Sequence, residues 1–344
     1  MSHRHHQQQA TLTDVAREAG VSVSTAARVL RNSTYPVAPE FQKRVRQAAE
    51  KLRYVPNLLA KKLRGGEYPS LGLVVGNMRD PFFGQIAQAV TQGAHKRSLM
   101  AMVTNMQRDA RQELTVIREL WEHRVNGIVL AGGGFDQQAC KSELAALVKQ
   151  LTRSGITVVS LVDRGISMPV FSVDNEAVGG MLARYAIECG HTEIGISAGP
   201  LNSSVTPQRM RGIRKVLAKA GVRPVIAHVP FGIPGGIEAQ EKLLKANPKI
   251  TMMIANADTL GVGIVRGLAA RHIRVPDDIS VISAGNTAYA EICTPRLVTA
   301  DIGLAECCDA AVQYIHGAIS GGEPTVPEPP LPTLVEGDSV RMLA

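Results

Sequence analysis

A chain of 344 residues has room for about two or three domains and a sizeable core. Its net charge of +8 is unevenly placed: residues 1–66 hold twelve Lys and Arg against four acids, and the remainder is balanced, as expected of a phosphate-binding module fused to a neutral body. Five cysteines without a CxxC or Cys/His spacing, and no apolar run near the roughly 18 residues of a bilayer span, argue against a disulfide scaffold, a metal site and a membrane protein, and favour a cytoplasmic chain.

The opening MSHRHHQQQ reads as part of a disordered arm over residues 1–10. Residues 11–30, TLTDVAREAGVSVSTAARVL, hold two short helical patterns joined at Gly20-Val21-Ser22. In the first, Val15, Ala16 and Ala19 recur at helical spacing, and Gly20 supplies the permissive turn residue. Ser22 is a good N-cap for the second, in which Ala26, Val29 and Leu30 face back toward the first helix. Val23, Ser24, Thr25, Ala27 and Arg28 are then turned outward. Small side chains, hydroxyls and one arginine suit a helix entering a DNA major groove, where bulk would hold the backbone off the base edges; an ordinary helical hairpin has the same spacing. A third helix is predicted over Pro39–Leu52, with Phe41, Val45, Ala48, Ala49 and Leu52 as its apolar stripe. After Pro56, Asn57 can cap a helix of about eight residues that Gly65 ends, too short to persist unless something packs on it. A simple basic linker is the alternative.

From Ser70 the periodicity changes. Apolar runs at 71–75, 100–104, 127–131 and 157–162 alternate with helical stretches, and a second series follows at 170–173, 193–197, 224–229, 251–255, 279–283 and 297–300. Strands so uniformly apolar are buried on both faces, which means parallel sheets covered by helices, and two series mean two α/β lobes. Ligands of such sheets bind beyond the carboxyl ends of the strands. The loops there carry Asn77–Phe83, Gly132–Gly134, Asp163-Arg164, Asp174-Asn175, Gly199–Arg209, Phe231, Asn256–Asp258 and Gly285-Asn286. Carboxylates, amides and arginines with a few aromatics suit a small polar molecule, although Asp and Asn after strands also serve as helix caps. A glycine-rich phosphate cradle is not indicated, because Gly261 and Gly263 fall inside a predicted helix and no Gly-Lys-Ser/Thr follows Gly132–Gly134. No cofactor is expected and no catalytic residue is singled out; a sugar-processing enzyme and a solute receptor are the rival classes, the latter expected to open on a signal peptide.

Residues 11–30, YVPNLLAKKLRGG at 54–66, LGLVVGNMRDPFF, SVDN, Gly190-His191, Arg209–Gly212, NADTLGVG and VPDDISVIS together resemble, in this order and over nearly the whole chain, the LacI/GalR family of bacterial transcriptional regulators. The resemblance implies an all-α helix-turn-helix headpiece (11–56), a hinge helix and linker (57–66), and a core of periplasmic-binding-protein type (67–344). The first of two doubly wound parallel-sheet lobes would take about 67–162 and 297–323, the second about 163–296 and 324–344.

It also implies a sequence-specific regulator, a repressor, binding a near-palindromic stretch of double-stranded operator DNA as a homodimer or homotetramer, and controlled by a small polar effector: a sugar, sugar acid or related metabolite. Val23, Ser24 and Arg28 match the family's specificity positions. Ser22, Thr25, Tyr54 and Asn57 match phosphate or minor-groove contacts, and Arg31 and Ala60 fall on the same DNA-facing segments. Leu63 matches the leucine that wedges into the central base step, an apolar insertion that unstacks and bends the duplex. Ala26-Ala27 departs from the usual Val-Ser and drops a hydroxyl.

In the effector cleft, Asp80, Phe82 and Phe83 match the Asn/Asp-Pro-aromatic loop, Asp163 its acidic residue, Arg209 the arginine that grips the ligand and Phe231 the stacking aromatic. Asn256, Asp258 and Asn286 complete the expected set. Three customary polar contacts are replaced, by Ala257, Gly285 and Ile302, which counts against an ordinary sugar. Effector binding is expected to change lobe closure, and with it hinge folding on DNA, a coupling typically worth about 1–3 kcal/mol.

Overall fold

The computed structural model describes residues 10–30, 35–55, 69–132 and 138–343. They form two units that divide at Tyr68/Pro69. Arg31, Asn57, Ala60 and Leu63, the hinge helix and the N-terminal arm up to residue 9 lie outside the described residues.

The first unit is three helices, α1 (Leu12–Ala19), α2 (Val23–Leu30) and α3 (Pro39–Lys51). Thr11 caps α1 reciprocally: its hydroxyl accepts from Asp14 N at 3.3 Å, and its own N–H donates to Asp14 Oδ2 at 2.9 Å, a capping box that fixes the helix start. Gly20 ends α1 at φ +62, a left-handed conformation that other residues adopt at a cost. The Ser22 hydroxyl accepts from Thr25 N at 3.1 Å and so caps α2. Val15, Ala16, Ala19, Ala26, Val29, Val45 and Ala48 close the core, with Tyr54 and Leu52 packed on its edge.

The second unit holds two sheets. The first has strand order β2-β1-β3-β4, from β1 (Ser70–Val75), β2 (Met100–Asn105), β3 (Gly127–Ala131) and β4 (Thr157–Ser160), all parallel. The second has order β10-β9-β8-β7-β5-β6, from β5 (Ile194–Ser197), β6 (Val225–Ala227), β7 (Met252–Ala255), β8 (Ser280–Ala284), β9 (Val298–Asp301) and β10 (Thr333–Val335). Only β10 runs antiparallel in it. Strands β1, β3, β5, β7 and β8 are buried at every position, as their apolar runs require; β2, an edge strand with a similar run, is not.

The helices are α4 (Pro81–Lys96), α5 (Ala110–Glu122), α6 (Gln138–Arg153), α7 (Asn175–Glu188), α8 (Val205–Lys219), α9 (Ile233–Ala246), α10 (Asp258–Ala269), α11 (Ala288–Ile292) and α12 (Leu304–Ile319). One apolar cluster runs from Leu71 and Leu73 through Phe171 and Leu182 to Ile196, Ile254 and Val298, so the two lobes share a continuous core.

Lobe membership departs from the sequence expectation at one strand. The sequence places the run at 297–300 in the first lobe, but Val298–Asp301 pairs with β8 and β10 in the second sheet, Val298 facing Ile282 and Ala300 facing Leu334. The chain therefore returns to the first lobe only with α12. Apolar periodicity identifies a buried strand without saying which sheet buries it. Likewise, the run at 170–173 forms no strand but a single bridge, Val170 to Ser160.

Candidate functional site

Two sets of side chains carry the expected chemistry. On α2, Ser22, Val23, Ser24 and Arg28 are exposed and Thr25 and Ala27 half-buried, while Ala26 and Val29 are buried in the helical core. Three hydroxyls meet at the start of this helix: Ser22 Oγ lies 2.8 Å from both Ser24 Oγ and Thr25 Oγ1. The Arg28 guanidinium stacks 4.3 Å from the centre of the Tyr35 ring, which limits the rotamers it samples before meeting a base edge. Ala26 fills the core rather than the outward face. Ala27 is where a hydroxyl is absent from the accessible side.

The second set surrounds a cavity of about 190 Å³ beyond the carboxyl ends of both sheets. From the first lobe come Asp80, Phe82 and Phe83 at the start of α4, Arg108 before α5, and Gly132 after β3. From the second come Asn175, Arg209, Phe231, Asn256, Ala257, Asp258, Gly285 and Thr287, with Ile302 and Leu304 at the crossing after β9. Seven of the nine expected effector residues thus share one cavity.

Asp163 and Asn286 do not line it. The Asp163 carboxylate is exposed and accepts from Gly165 N at 2.8 Å, closing a tight turn. It is Arg164 that turns inward. That guanidinium donates to the Gly132 carbonyl and to Ser160 Oγ and pairs with Glu113 at 2.7 Å, with both side chains almost fully buried. Burial pushes the Glu113 carboxyl up, against the opposing pull of Arg164. Asn286 is engaged elsewhere: Nδ2 donates to Asp301 at 2.8 Å, and its carbonyl accepts from Gln85 Nε2 of the other lobe at 2.6 Å. It ties the lobes together beside the cavity.

The remaining side chains divide by how completely they are paired. The Asp80 carboxylate caps α4, accepting from Phe82 N at 3.1 Å, and accepts from Arg108 Nη2 at 2.9 Å. Asp258 Oδ1 accepts from Ser283 Oγ at 2.6 Å and Thr299 Oγ1 at 2.7 Å, and its Oδ2 from Thr287 N at 2.7 Å. The Asp258 carboxylate is therefore the knot joining β8, β9 and α10.

Arg209 is buried, with Nε donating to Asn175 Oδ1 at 2.9 Å and Nη1 to the Asn256 carbonyl. It forms no ion pair among the described residues; burial pushes its pKa down to about 10, with the Asp258 charge opposing the shift, so it stays a cation. Its position depends on the close crossing of α7 and α8. A side chain at Gly179 would strike the Arg209 carbonyl, and one at Gly212 the Glu176 carbonyl. Asn256 Oδ1 and Thr287 Oγ1 are buried with no partner among the described residues.

Sequence spacing gave no notice of Arg108. It precedes Asp109, which caps α5 by accepting from Arg111 N and Gln112 N at 2.8 Å, so an ordinary helix start hides it. In the structure its guanidinium lies 5.7 Å from the Phe83 ring centre and 5.9 Å from that of Phe231, reaching across the cleft from one lobe to an aromatic of the other.

A helix-turn-helix with an exposed hydroxyl-and-arginine face, in one chain with a two-lobed body that holds a cavity between its sheets, defines a DNA-binding regulator controlled by a small molecule. Residues 11–57 match the model for bacterial regulatory proteins of the lacI family, and residues 68–311 that for periplasmic binding proteins and the sugar-binding domain of the LacI family. The chain belongs to the LacI family of bacterial regulators. It is 32% identical to the HTH-type transcriptional regulator GalR of Escherichia coli K12 over 84% of this chain and 83% of that protein. To the HTH-type transcriptional repressor PurR of Aliivibrio salmonicida it is 29% identical, over 84% and 86%. The lac repressor dimer bound to operator and the anti-inducer ONPF superposes with a TM-score of 0.83 at 22% identity, covering 97% of this chain and all of that one, a likeness of fold. No helix among the described residues is long and apolar enough to cross a membrane.

Proposed function

We propose that this protein is a repressor that acts in the cytoplasm without enzymatic activity, binds a near-palindromic operator as a homodimer, and changes its DNA affinity when a small metabolite occupies the cavity. The single observation that carries this reading is the cavity wall itself, drawn from both lobes and including a buried cation that has no ion pair among the described residues. A ligand seated there touches Arg108 of one lobe and Arg209 of the other, so binding energy goes directly into lobe closure. The relatives support the rest: PurR is named a repressor, and the lac repressor dimer is bound to its operator. Ser22, Ser24, Thr25 and Arg28 make the headpiece contacts, and Leu63 serves as the wedge. Footprinting on fragments of the bacterium's own genome tests this. A protected stretch with two-fold symmetry is expected, and protection without symmetry overturns the dimeric reader. The same fragment, titrated with protein and a cavity ligand, should show an affinity shifted by about 5- to 150-fold.

A further inference from the structure

The carboxylate oxygens of the cavity wall already accept hydrogen bonds. A sugar presents several hydroxyl donors, each needing an acceptor, yet both carboxylates on the wall are already engaged. Asp258 accepts three hydrogen bonds, from Ser283, Thr299 and the Thr287 amide; Asp80 accepts from the Phe82 amide and Arg108. Asn175 Oδ1 is taken by Arg209. Among the described residues, two buried polar atoms of the wall have no partner, Asn256 Oδ1, an acceptor, and the Thr287 hydroxyl, which can donate or accept.

Donors are in surplus. Among the described residues, Arg209 lines the cavity with Nε and Nη1 engaged by neutral groups, leaving Nη2, and Arg108 engages Asp80 through Nη2. A buried guanidinium whose neighbours are amide and carbonyl oxygens gains most from an incoming anion, because charge-assisted bonds are shorter and stronger than neutral ones. Asn202, Ser203 and Thr259 also line the cavity, and one part of the wall is apolar: Ile302, Leu304 and Ala284 are buried, and Ala257 stands beside them.

We propose, building on the assignment of this cavity as the effector site, that the effector is a small monocarboxylate with an apolar body. Arg209 and Arg108 hold its carboxylate, and Ile302, Leu304 and Ala284 receive its body. Two arginines offset by Asp80 and Asp258 suit one negative charge better than the two of a phosphate monoester, since surplus charge is costly in a buried site. A ring stacks on Phe82 or Phe231 at the cavity edge.

The test uses the full chain and matched probes: benzoate and cyclohexanecarboxylate against benzamide, cyclohexanecarboxamide, D-galactose, D-gluconate and inorganic phosphate. Thermal unfolding and calorimetric titration read binding. Both carboxylates are expected to raise the melting temperature where the carboxamides, galactose, gluconate and phosphate do not. Arg209→Gln should weaken them by at least about tenfold. Arg108→Gln removes the ion pair to Asp80 and should weaken them several-fold, with the melting temperature of the free variant separating lost binding from lost folding. The proposal is overturned if the carboxamides or galactose match the carboxylates, if gluconate or phosphate binds in their place, or if neither carboxylate binds. The two readings fail separately. A neutral cavity ligand that shifts affinity for the footprinted DNA removes the carboxylate class and keeps effector control, whereas a carboxylate that binds without moving DNA affinity removes effector control and keeps the ligand class.

Discussion

The helical unit closes around seven buried apolar residues, four of them alanines, while the body stacks Leu, Ile and Val in three larger clusters. Alanine lets helices as short as the eight residues of α1 and α2 approach closely, but it removes little surface from water. The two units also place their functional groups differently. The helical unit turns Ser22, Ser24 and Arg28 into solvent, whereas the body keeps Arg209 buried and, among the described residues, without an ion pair. Solvent-facing function tolerates a weak scaffold, whereas a buried cation needs a strong one.

The largest expected effect tests whether the body's strength comes from the knot beneath its site. Asp258→Ala leaves three donors unpaired and takes away the negative charge nearest Arg209, and should cost about 3–5 kcal/mol in urea unfolding of the body. Loss near zero would mean that the apolar clusters alone hold the lobes.

Next comes the thin core. Val45→Ala should cost about 1–3 kcal/mol, enough to abolish DNA binding while cavity ligands still bind; equal loss of both activities would contradict two separately stable units. Arg28→Ala probes the exposed face, with no expected change in melting temperature and about 1–3 kcal/mol lost in DNA binding, confined to one position in each half-site. The smallest effect is a pH dependence in the body. Buried His191, bonded to Thr251 Oγ1 and the Arg341 carbonyl, has its pKa pushed below the ordinary 6.5 by desolvation. Between that depressed value and 6.5 the unfolded chain takes up a proton that the native imidazole refuses, so stability falls as pH drops through this window. His191→Gln should flatten that slope.

The sequence by itself determined the parts that local chemistry controls. Ser22 as a cap, Gly20 as the turn, Ala26 and Val29 inward and Arg28 outward all follow from positions within one or two helical turns. The alternation of apolar runs with helices established two parallel-sheet lobes, because a strand buried on both faces can be apolar throughout.

Only tertiary structure decided which sheet took Val298–Asp301, since pairing with Ile282 and Leu334 is a contact between distant segments that periodicity does not encode. The same holds at the cavity. Asp163 and Arg164 are adjacent in sequence, yet a turn sends the carboxylate to solvent and the guanidinium to Glu113. Arg108 precedes the helix cap Asp109 in sequence, yet its guanidinium lies 5.9 Å from the ring centre of Phe231 in the other lobe. The identity of a side chain is written in the chain, but whether its hydrogen bonds are already taken depends on partners brought from far away, and at Asp258 and Arg209 that difference defines the site.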